Sequence, residues 1–569
     1  MNGATANPTS PGGIPASSPS GGITMEGITM EGISLPGPAW NERSQRILTP
    51  EALALVAGLH LRFEAERQSL MKARRESQAA WNAGEAPEYL DRNSEAATGD
   101  WKVGAIPEDL LCRRVEITGP SNSPKMVINM LSRRPDGSRA DTAMLDFEDA
   151  LKPSWRNIVD GMINIRAVAG ETLEHLEPAR PGREEKRYRL DPEDQAVMII
   201  RPRGLHLVES NLRVDGEPVS AALFDMAVSF HHTARQLIEK GKTPAYYIPK
   251  CEHYLEARWW NRLFTALEEA LDVEAGALKA TFLIETLPAA FQMEEILFEF
   301  REHAAGLNVG RWDKIFSDIK TLGYHRERVM ADRAAITMTQ PWMADYALRC
   351  VQICHQRGAF GMGGMAAFTP GKTAEIRGRQ LAKVLEDKRL EASTGHDGCW
   401  VSHPYFIAEA MKAFPRKNQL DVMHEDRDKY PGLLPQAIGP KTMGGLRTNV
   451  RVAIGYLEGW NRGIGCVAWD NLMEDLATLE ISRAQTWQWL HHAIQLGDGT
   501  PVTESLVRKV FAEELGNIVK DEAAEIAEAR GETRDAVVES FLGAGAEAEE
   551  IFTRSELTSF LCDASPVEE

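Results

Sequence analysis

Apolar runs of strand length recur along the middle of the chain, and longer amphipathic segments separate them. The runs are CRRVEIT at 112–118, AMLDFED at 143–149, VMIIRPRG at 197–204, AYYIPK at 245–250, ATFLIET at 280–286, LNVGRWD at 307–313, FGMGGMA at 360–366 and CWVSHP at 399–404. This alternation predicts parallel strands, because parallel neighbours need a crossover connection. Eight such units over roughly 300 residues predict a (β/α)8 barrel, a fold that usually takes about 250 residues. The alternative is an open doubly wound sheet, but no GxGxxG follows the first run.

Helical patterns lie on both sides of this region. Thr49 and Pro50 suit the N-cap and first position of a helix. Its apolar face is predicted to be Leu55, Val56, Leu59 and Phe63. After about residue 420 the strand pattern stops, and GGLRTNVRVAIGYLEGW begins a series of helical segments. The sequence therefore predicts an α/β protein: an N-terminal helical cap at 39–106, a TIM barrel at 107–418 and a C-terminal helical domain at 419–569.

The first 38 residues have a different composition. They are rich in Gly, Ser, Pro and Thr, and they contain the tandem repeat GITMEGITMEGIS at 22–34. Such a composition buries too little apolar surface to offset the entropy of ordering the chain. The sequence therefore predicts that residues 1–38 form a disordered tail.

Composition and charge narrow the possible functions. The chain has 569 residues, of which 43% are hydrophobic and 26% charged, with a formal net charge of −19. This charge disfavours nucleic-acid binding, which needs a basic face. No apolar run approaches the roughly 18 residues of a membrane span. The N-terminus lacks the basic and apolar regions of a secretory signal, and Val567–Glu569 is no peroxisomal address. We expect a cytoplasmic protein that is a monomer or a small homo-oligomer.

The cysteines are scattered and odd in number. The chain has seven, without a CxxC pair, and this usage suits a reducing compartment. Cys350, Cys354 and His355 have helical spacing, which raises the question of a metal site. Buried thiols on one helix are the favoured interpretation, because no second pair of ligands lies nearby in the sequence.

Two carboxylates end neighbouring runs. Glu285 ends ATFLIE and Asp313 ends LNVGRWD, and their separation of 313 − 285 = 28 residues is close to one β/α unit of about 30. In a barrel these side chains would meet at the carboxyl ends of adjacent strands. Either acid alone is best explained as an ordinary cap, but the pair favours a hard cation such as Mg²⁺. Asp146, Glu148 and Asp149 end the second run similarly and are candidates to hold the waters of that metal.

Other charged groups also stand at the ends of runs. Arg201 and Arg203 follow VMII, where a guanidinium could neutralise charge on a reacting oxygen or pair with the nearby acids. The turn of Gly310, Arg311, Trp312 and Asp313 offers backbone N–H groups to a small carboxylate. The glycine would allow close backbone approach, and the tryptophan would exclude water.

Asp475 lies outside the barrel, in LMEDLAT. Asn471 and Glu474 are spaced like an N-cap and its third-position partner, which predicts Asp475 in the first turn of a helix. Considered alone, this acid is best explained by the helix dipole.

These residues carry a family resemblance. REHAAGLNVGRWDKIF at 301–316 closely resembles the signature of the malate synthases. LIETLPAAFQMEEIL, RRVEITGP, RPRGLHL, GGMAAF and LMEDLAT resemble other blocks of that family, in the same order. The resemblance extends from about residue 45 to residue 560. No extra α/β insertion interrupts the barrel, so the chain is similar to the shorter isoform A type.

The resemblance implies a reaction and a role for each site residue. This family condenses acetyl-CoA with glyoxylate and water to give malate and CoA, using Mg²⁺, in the glyoxylate cycle. By that resemblance Glu285 and Asp313 would hold the metal, and the turn from Gly310 to Asp313 would bind the glyoxylate carboxylate. Arg201 would stabilise the enolate oxygen, and Asp475 would be the catalytic base.

The resemblance also extends to less certain positions and has departures. Pro341 is similar to a family proline near the CoA adenine, and Cys466 is similar to a cysteine near the site. Lys314 stands where the family usually has Tyr, and Leu476 where it often has Ala. Neither departure removes a charged group that the chemistry needs, but Lys314 bears on the wall of the glyoxylate pocket.

Two other functions remain open at this point. An acyl-CoA lyase or aldolase has a similar barrel and a similar Glu/Asp metal pair, but generally lacks a long C-terminal helical domain with LMED. An inactive barrel kept as a binding scaffold is disfavoured, because the four charged residues Arg201, Glu285, Asp313 and Asp475 are intact.

Overall fold

Eight parallel strands close into a barrel in the order in which they follow one another along the chain. The computed structural model describes residues 22–24, 27–30, 32–179 and 184–561. The barrel strands are β1 (Val115–Pro120), β2 (Thr142–Asp146), β3 (Val197–Arg201), β4 (Ala245–Ile248), β5 (Lys279–Ile284), β6 (Ala304–Val309), β7 (Phe360–Ala366) and β8 (Gly398–Val401). β8 pairs in parallel with β1 and closes the ring. Each predicted run overlaps one of these strands, so the predicted barrel is confirmed.

The barrel strands are buried on both faces. All six residues of β5 and all six of β6 are buried. This burial explains why the runs are continuously apolar and do not alternate with polar residues, as expected for parallel strands covered by helices. Inside the barrel, Met144, Ile199, Tyr247, Leu283 and Trp400 pack together.

Helices cover the outside of the barrel and form the C-terminal domain. They are α1 (Pro50–Asn82), α2 (Pro124–Leu131), α3 (Trp155–Ala169), α4 (Ala221–Glu239), α5 (Tyr254–Leu271), α6 (Met293–Glu299), α7 (Arg311–Leu322), α8 (Pro341–Arg357), α9 (Ala374–Thr394), α10 (Ile407–Met411), α11 (Met443–Asn461), α12 (Leu476–His491), α13 (Glu504–Asp521), α14 (Ala523–Arg530) and α15 (Arg534–Phe552). Thr49 caps α1 as predicted, by accepting a hydrogen bond from the N–H of Ala52. In the described part of the chain no helix has the length and apolar character to cross a membrane.

Part of the N-terminal segment differs from the expectation of disorder. Strands Gly22–Thr24, Gly27–Met30 and Ile33–Pro36 form an antiparallel sheet with Val208–Val214 and Glu217–Ser220. Ile33 and Leu35 are 5% and 2% exposed, so this segment does bury apolar side chains. Its partner strands lie about 180 residues later in the chain, and composition alone gives no sign of them. Residues 1–21 of the predicted tail lie outside the described residues.

The C-terminal domain has its own core and closes over one end of the barrel. Its helices α11, α12, α13 and α15 pack around a hydrophobic cluster that includes Ile454, Trp489 and Phe511. A hairpin, Val467–Trp469 with Leu472–Glu474, precedes α12. The N–H of Met473 donates to the carbonyl of Ala367 at 2.7 Å, in the connection that follows β7. The hairpin is thereby held against the carboxyl ends of the barrel strands.

Candidate active site

A cavity of about 780 Å³ lies at the carboxyl ends of the barrel strands, beneath the C-terminal domain. The position matches the end of the barrel where this fold carries its functional residues. Its lining includes the predicted residues Arg201, Glu285, Gly310, Arg311, Trp312, Asp313, Cys466 and Asp475. The barrel supplies the first six, and the C-terminal domain supplies the last two. The fold thus joins residues that are far apart in sequence at one cavity.

The carboxylates at the barrel mouth converge on the ammonium group of Lys250. Lys250 Nζ lies 2.6 Å from Asp149 Oδ2 and 2.8 Å from Asp313 Oδ1. It also lies 2.8 Å from Glu148 Oε1. The backbone N–H of Lys250 donates to Glu285 Oε1 at 2.8 Å. One residue therefore contacts all four acids, and the predicted pair Glu285 and Asp313 does belong to one cluster.

The cluster carries more negative charge than its partners neutralise. Burial, followed by the charge of Asp313, raises the pKa of Glu285 to about 8. Burial also raises the pKa of Asp313. Asp149 Oδ1 is buried without a hydrogen-bond partner. An added cation would relieve this excess, and oxygen donors of this kind suit Mg²⁺.

The protein side chains alone do not form a complete metal cage. Within the ranges that the structure describes, no group of three or more His, Cys, Asp or Glu side chains is arranged to hold a metal ion. Mg²⁺ is commonly held by one or two carboxylates, with waters and substrate oxygens completing its shell. The donor set of Glu285 and Asp313 therefore fits Mg²⁺ better than a cation that needs an all-protein cage.

Arg201 is fixed at the cavity wall by its neighbour on the adjacent strand. The register of β2 and β3 places Asp146 opposite Arg201. Arg201 donates from Nε to Asp146 Oδ1 at 2.7 Å and from Nη2 to Oδ2 at 2.6 Å. Its third nitrogen, Nη1, lies 3.4 Å from Glu148 Oε2. Burial opposes the charged form, but Asp146 and Glu148 hold the pKa of Arg201 well above its usual value. The cavity thus has a permanent, rigidly held cation.

The turn after β6 presents the N-terminus of α7 to the cavity. Gly310 is the N-cap residue, and no side chain caps this helix. The first N–H groups of a helix lack acceptors inside it, so those of Arg311, Trp312 and Asp313 are available to an anion. A Cβ at position 310 would lie 2.8 Å from the Cβ of Glu285, which is closer than carbon atoms pack. Glycine is therefore required where the turn passes the Glu285 side chain.

Asp475 reaches the cavity from the start of α12, and its local structure differs from the prediction. It is itself the N-cap of this helix, with Oδ1 accepting from the N–H of Thr478 at 3.3 Å. Asn471, the predicted cap, lies in the hairpin turn with φ of 66°. Glu474 ends the second hairpin strand and pairs with Arg333 at 3.0 Å. The prediction failed because a short hairpin, which the sequence pattern does not reveal, precedes the helix.

The surroundings of Asp475 favour its protonated form. Burial is the largest cause, and the negative charges of Asp149 and Asp313 add to it. Arg201 and Lys250 act in the opposite direction but do not cancel these effects. The pKa of Asp475 is therefore well above the ordinary value of about 3.9. This shift makes its carboxylate a stronger base than an exposed aspartate.

Two positively charged residues considered from the sequence do not line the cavity. Arg203 is fully buried and pairs with Glu209 at 2.9 Å and with Asp225 at 2.8 Å. These contacts give it a structural role. Lys314 is also buried and forms an ion pair with Asp318, one turn further along α7. The departure from the family pattern at position 314 therefore does not reach the cavity wall.

Pro341 and Cys466 have different positions. Pro341 is exposed at the first position of α8 and is not among the residues that line the cavity. Cys466 does line the cavity, and burial raises the pKa of its thiol to about 12. The thiol is therefore uncharged at neutral pH and is a poor nucleophile.

The Cys350, Cys354 and His355 group lies on α8 in the protein interior. All three residues are buried. His355 Nε2 lies 3.0 Å from Asp397 Oδ2, so the ring is held by a carboxylate of the connection before β8.

The sequence reasoning did not assign a role to two residues of the site. Lys250 ends the run AYYIPK, and its charge at the end of a strand was the available signal. Trp400 lines the cavity from β8 and donates its indole N–H to Glu116 Oε2 at 2.8 Å inside the barrel. For Trp400 the apolar pattern gave no signal, because a buried tryptophan in a strand is expected in any core.

Fold and site together define a (β/α)8-barrel enzyme with a carboxylate cation site, a fixed arginine and an acid brought in by a separate domain. Family models of malate synthase match the chain in three parts: the N-terminal domain at 36–94, the TIM barrel domain at 197–431 and the C-terminal domain at 440–549. The chain belongs to the malate synthase family. It is an acyltransferase with the function of that family, and the predicted isoform A type is confirmed by the relatives below.

Curated relatives align with most of the chain. It is 42% identical to malate synthase A of Escherichia coli (strain K12), over 92% of this chain and 95% of that protein. It is 45% identical to malate synthase of Myxococcus xanthus (strain DK1622), over 85% of this chain and 89% of that protein. Among solved structures it is similar to the Haloferax volcanii malate synthase magnesium/glyoxylate complex, with a TM-score of 0.40 and 16% identity, covering 76% of this chain and 98% of that one. This last likeness is too distant to support an inference.

Proposed function

We propose that this chain condenses acetyl-CoA with glyoxylate at the barrel mouth, in the presence of Mg²⁺, and releases malate and CoA as a step of the glyoxylate cycle. The observation that carries the proposal is the composition of one cavity. Glu285, Asp313 and Arg201 line it from the barrel, and Asp475 lines it from the C-terminal domain. A cation site, a fixed guanidinium and a base are the groups that a carbon–carbon condensation of a thioester requires.

Asp475 takes the proton from the acetyl methyl group in this proposal. A thioester methyl is a weak carbon acid, so an aspartate of ordinary pKa is too weak a base. Burial and the charges of Asp149 and Asp313 raise the pKa of Asp475 and so strengthen it. The enolate oxygen that forms needs a cation that is already in position. Arg201 meets this need, because Asp146 binds two of its nitrogens and fixes its orientation.

The N-terminus of α7 binds the carboxylate of glyoxylate in this proposal. Its free N–H groups and the helix dipole both favour an anion. Arg311, Trp312 and Asp313 supply those N–H groups at the cavity wall. This position places the aldehyde carbon next to Glu285 and Asp313 and within reach of the enolate carbon, which forms the new bond. Water then hydrolyses the thioester and releases CoA.

Glu285 and Asp313 would hold Mg²⁺, with water and the two glyoxylate oxygens as further ligands. When bound, the ion would polarise the aldehyde as a Lewis acid. The excess negative charge of this cluster and the unpartnered Oδ1 of Asp149 support the assignment.

A groove next to the cavity suits the rest of CoA. It has a volume of about 940 Å³ and shares Thr118, Met126, Ser402 and Met473 with the cavity. Arg133 and Arg134 line its outer part, where they could meet the phosphates of CoA. This groove is a better candidate for the CoA site than the surface around Pro341.

The cellular setting is proposed on chemical grounds. The cysteines in the described part of the chain are unpaired, and unpaired thiols suit a reducing compartment. A cytoplasmic enzyme, as a monomer or small homo-oligomer, is consistent with this chemistry.

The test is release of free thiol from acetyl-CoA, measured with each of acetyl-CoA, glyoxylate and Mg²⁺ omitted in turn. Stoichiometric malate and thiol that require all three would support the proposal. Cleavage of malyl-CoA without net condensation would indicate a lyase, and absence of turnover in folded protein would indicate a scaffold. Thiol release without glyoxylate would contradict the assigned acceptor.

A further inference from the structure

Lys250 occupies the centre of the carboxylate cluster that we assign to Mg²⁺. We propose that Lys250 is the internal counter-cation of this site: its ammonium group holds the carboxylates together before the metal binds, and its charge lowers their affinity for the metal. This inference rests on the proposed function, because it assumes that Glu285 and Asp313 bind a divalent cation. It adds a residue that the condensation itself does not use.

The position of Lys250 is built into the backbone. It follows β4 and has φ of 52°, in the left-handed region that few non-glycine residues adopt. Its N–H donates to Glu285 Oε1 at 2.8 Å, while its Nζ lies 2.8 Å from Asp313 Oδ1. The same residue thus ties together both proposed metal ligands, one through its backbone and the other through its side chain.

The groups that face the ammonium are almost all acidic. Glu148 and Asp149 approach from the connection after β2, Asp313 from α7 and Glu285 from the end of β5. The nearest other cation, Arg201, is engaged by Asp146 on both Nε and Nη2. The Lys250 side chain is 5% exposed, so water screens these interactions weakly. Without Lys250 the buried acids would repel one another with little compensation.

Each acid keeps an oxygen that Lys250 does not use. Lys250 takes Oδ2 of Asp149, and Oδ1 of the same carboxylate is buried without a partner. Lys250 takes Oδ1 of Asp313 and leaves Oδ2. A magnesium ion with its bond of about 2.1 Å to Asp313 would therefore lie within roughly 7 Å of the ammonium. At that separation in a protein interior, the repulsion between the two cations is large enough to lower metal affinity by about tenfold or more.

The test compares the full-length protein with Lys250→Met, which keeps the length of the apolar stem and removes the charge. Lys320→Met is the matched control, because Lys320 is another buried lysine at this end of the barrel and pairs with Glu252 at 2.5 Å, outside the cluster. Titration calorimetry with Mg²⁺ gives Kd, and thermal unfolding gives Tm with and without Mg²⁺. Lys250→Gln repeats the comparison with a polar neutral side chain.

We expect Lys250→Met to have a lower Tm than the parent without Mg²⁺, a larger rise in Tm on adding Mg²⁺, and a Kd for Mg²⁺ lower by about tenfold. Lys320→Met should leave the Kd for Mg²⁺ unchanged. An equal or higher Kd in both Lys250 variants would overturn the inference while leaving the Mg²⁺ site intact. Variants that stay unfolded with and without Mg²⁺ would also overturn it, because the ion would not be replacing the ammonium. A parent protein that does not bind Mg²⁺ would instead overturn the proposed metal site on which the inference rests.

Discussion

Asp475→Asn separates catalysis from stability at the base. Asp475 Oδ1 accepts a hydrogen bond from the N–H of Thr478, and an asparagine side-chain oxygen can accept the same bond. Asn and Asp are about equally good N-cap residues, so the start of α12 should be preserved. The amide differs from the carboxylate in having no lone pair basic enough to take a methyl proton. Catalysis should therefore fail in a protein that is folded.

The expected loss of activity follows from the role of the base. A positioned general base contributes about 10²- to 10⁴-fold, so kcat for malate formation should fall by at least about 100-fold. The KM for glyoxylate should change little, because α7 and the cluster of Glu285 and Asp313 are untouched. In the parent, activity should decline on acidification at a pH well above 3.9, since burial and neighbouring charges raise the pKa of Asp475.

The expected change in stability has the opposite sign. The pKa of Asp475 is higher in the folded than in the unfolded protein, so the folded protein binds this proton more tightly. The free energy of unfolding contributed by this group therefore falls as pH rises from the unfolded pKa toward the folded one. At pH above the folded pKa the ionised carboxylate is destabilising, and replacing it with a neutral amide should leave Tm unchanged or raise it.

The assay is malate and thiol production, measured with thermal unfolding on the same preparations. Thr478→Val is the matched control, because it removes the Oγ1 that accepts from the N–H of Asp475 at 3.1 Å and keeps the carboxylate. The control should lose about 1 kcal/mol of unfolding free energy and retain most of its turnover. Near-normal turnover of Asp475→Asn would refute the assignment, and the base would then be sought at Glu148 or Asp149.

Three further predictions concern the metal site, the N-terminal segment and the cavity thiol. Glu285→Gln should stay folded and lose the rise in Tm that Mg²⁺ produces in the parent, and calorimetry with Mg²⁺ checks this; an unchanged Kd would exclude Glu285 as a ligand. Deleting the first 38 residues removes the buried Ile33 and Leu35, at about 2 kcal/mol each, and should lower Tm by several degrees relative to deletion of the first 31; equal Tm values would contradict this. Cys466→Ala should keep kcat within about tenfold of the parent, because the thiol with a pKa of about 12 is uncharged at neutral pH; loss of turnover would assign it a chemical role.

The fold could be predicted because burial leaves a direct mark on the sequence. A strand covered by helices on both faces reads as a continuous apolar run, and all eight barrel strands have this mark. The ends of the runs also carried the charged residues, so Arg201, Glu285 and Asp313 could be selected as site candidates. The structure places all three on one cavity.

Contacts distant in sequence could not be predicted in the same way. Strand Ile33–Pro36 is ordered by pairing with Val214 and Arg213, about 180 residues later, and its Gly- and Ser-rich neighbourhood predicted disorder. Lys250 has meaning only beside the acids of three other elements, and no pattern within AYYIPK indicates them. Composition and periodicity describe local segments, whereas these contacts are products of the closed barrel.

The placement of Asp475 depends on contacts that side-chain patterns cannot encode. The hairpin before it is held to the barrel through main-chain groups: the N–H of Met473 donates to Ala367, and the N–H of Thr369 donates to the carbonyl of Asn471. The N–H of Leu476 also donates to the carbonyl of Asp149, at 3.3 Å. Main-chain bonds form with almost any residue, so they leave no signature in the sequence, yet they bring the base over the cation cluster. The site is therefore assembled by backbone pairing between two domains, and its chemistry is supplied by charged residues that each domain carries separately.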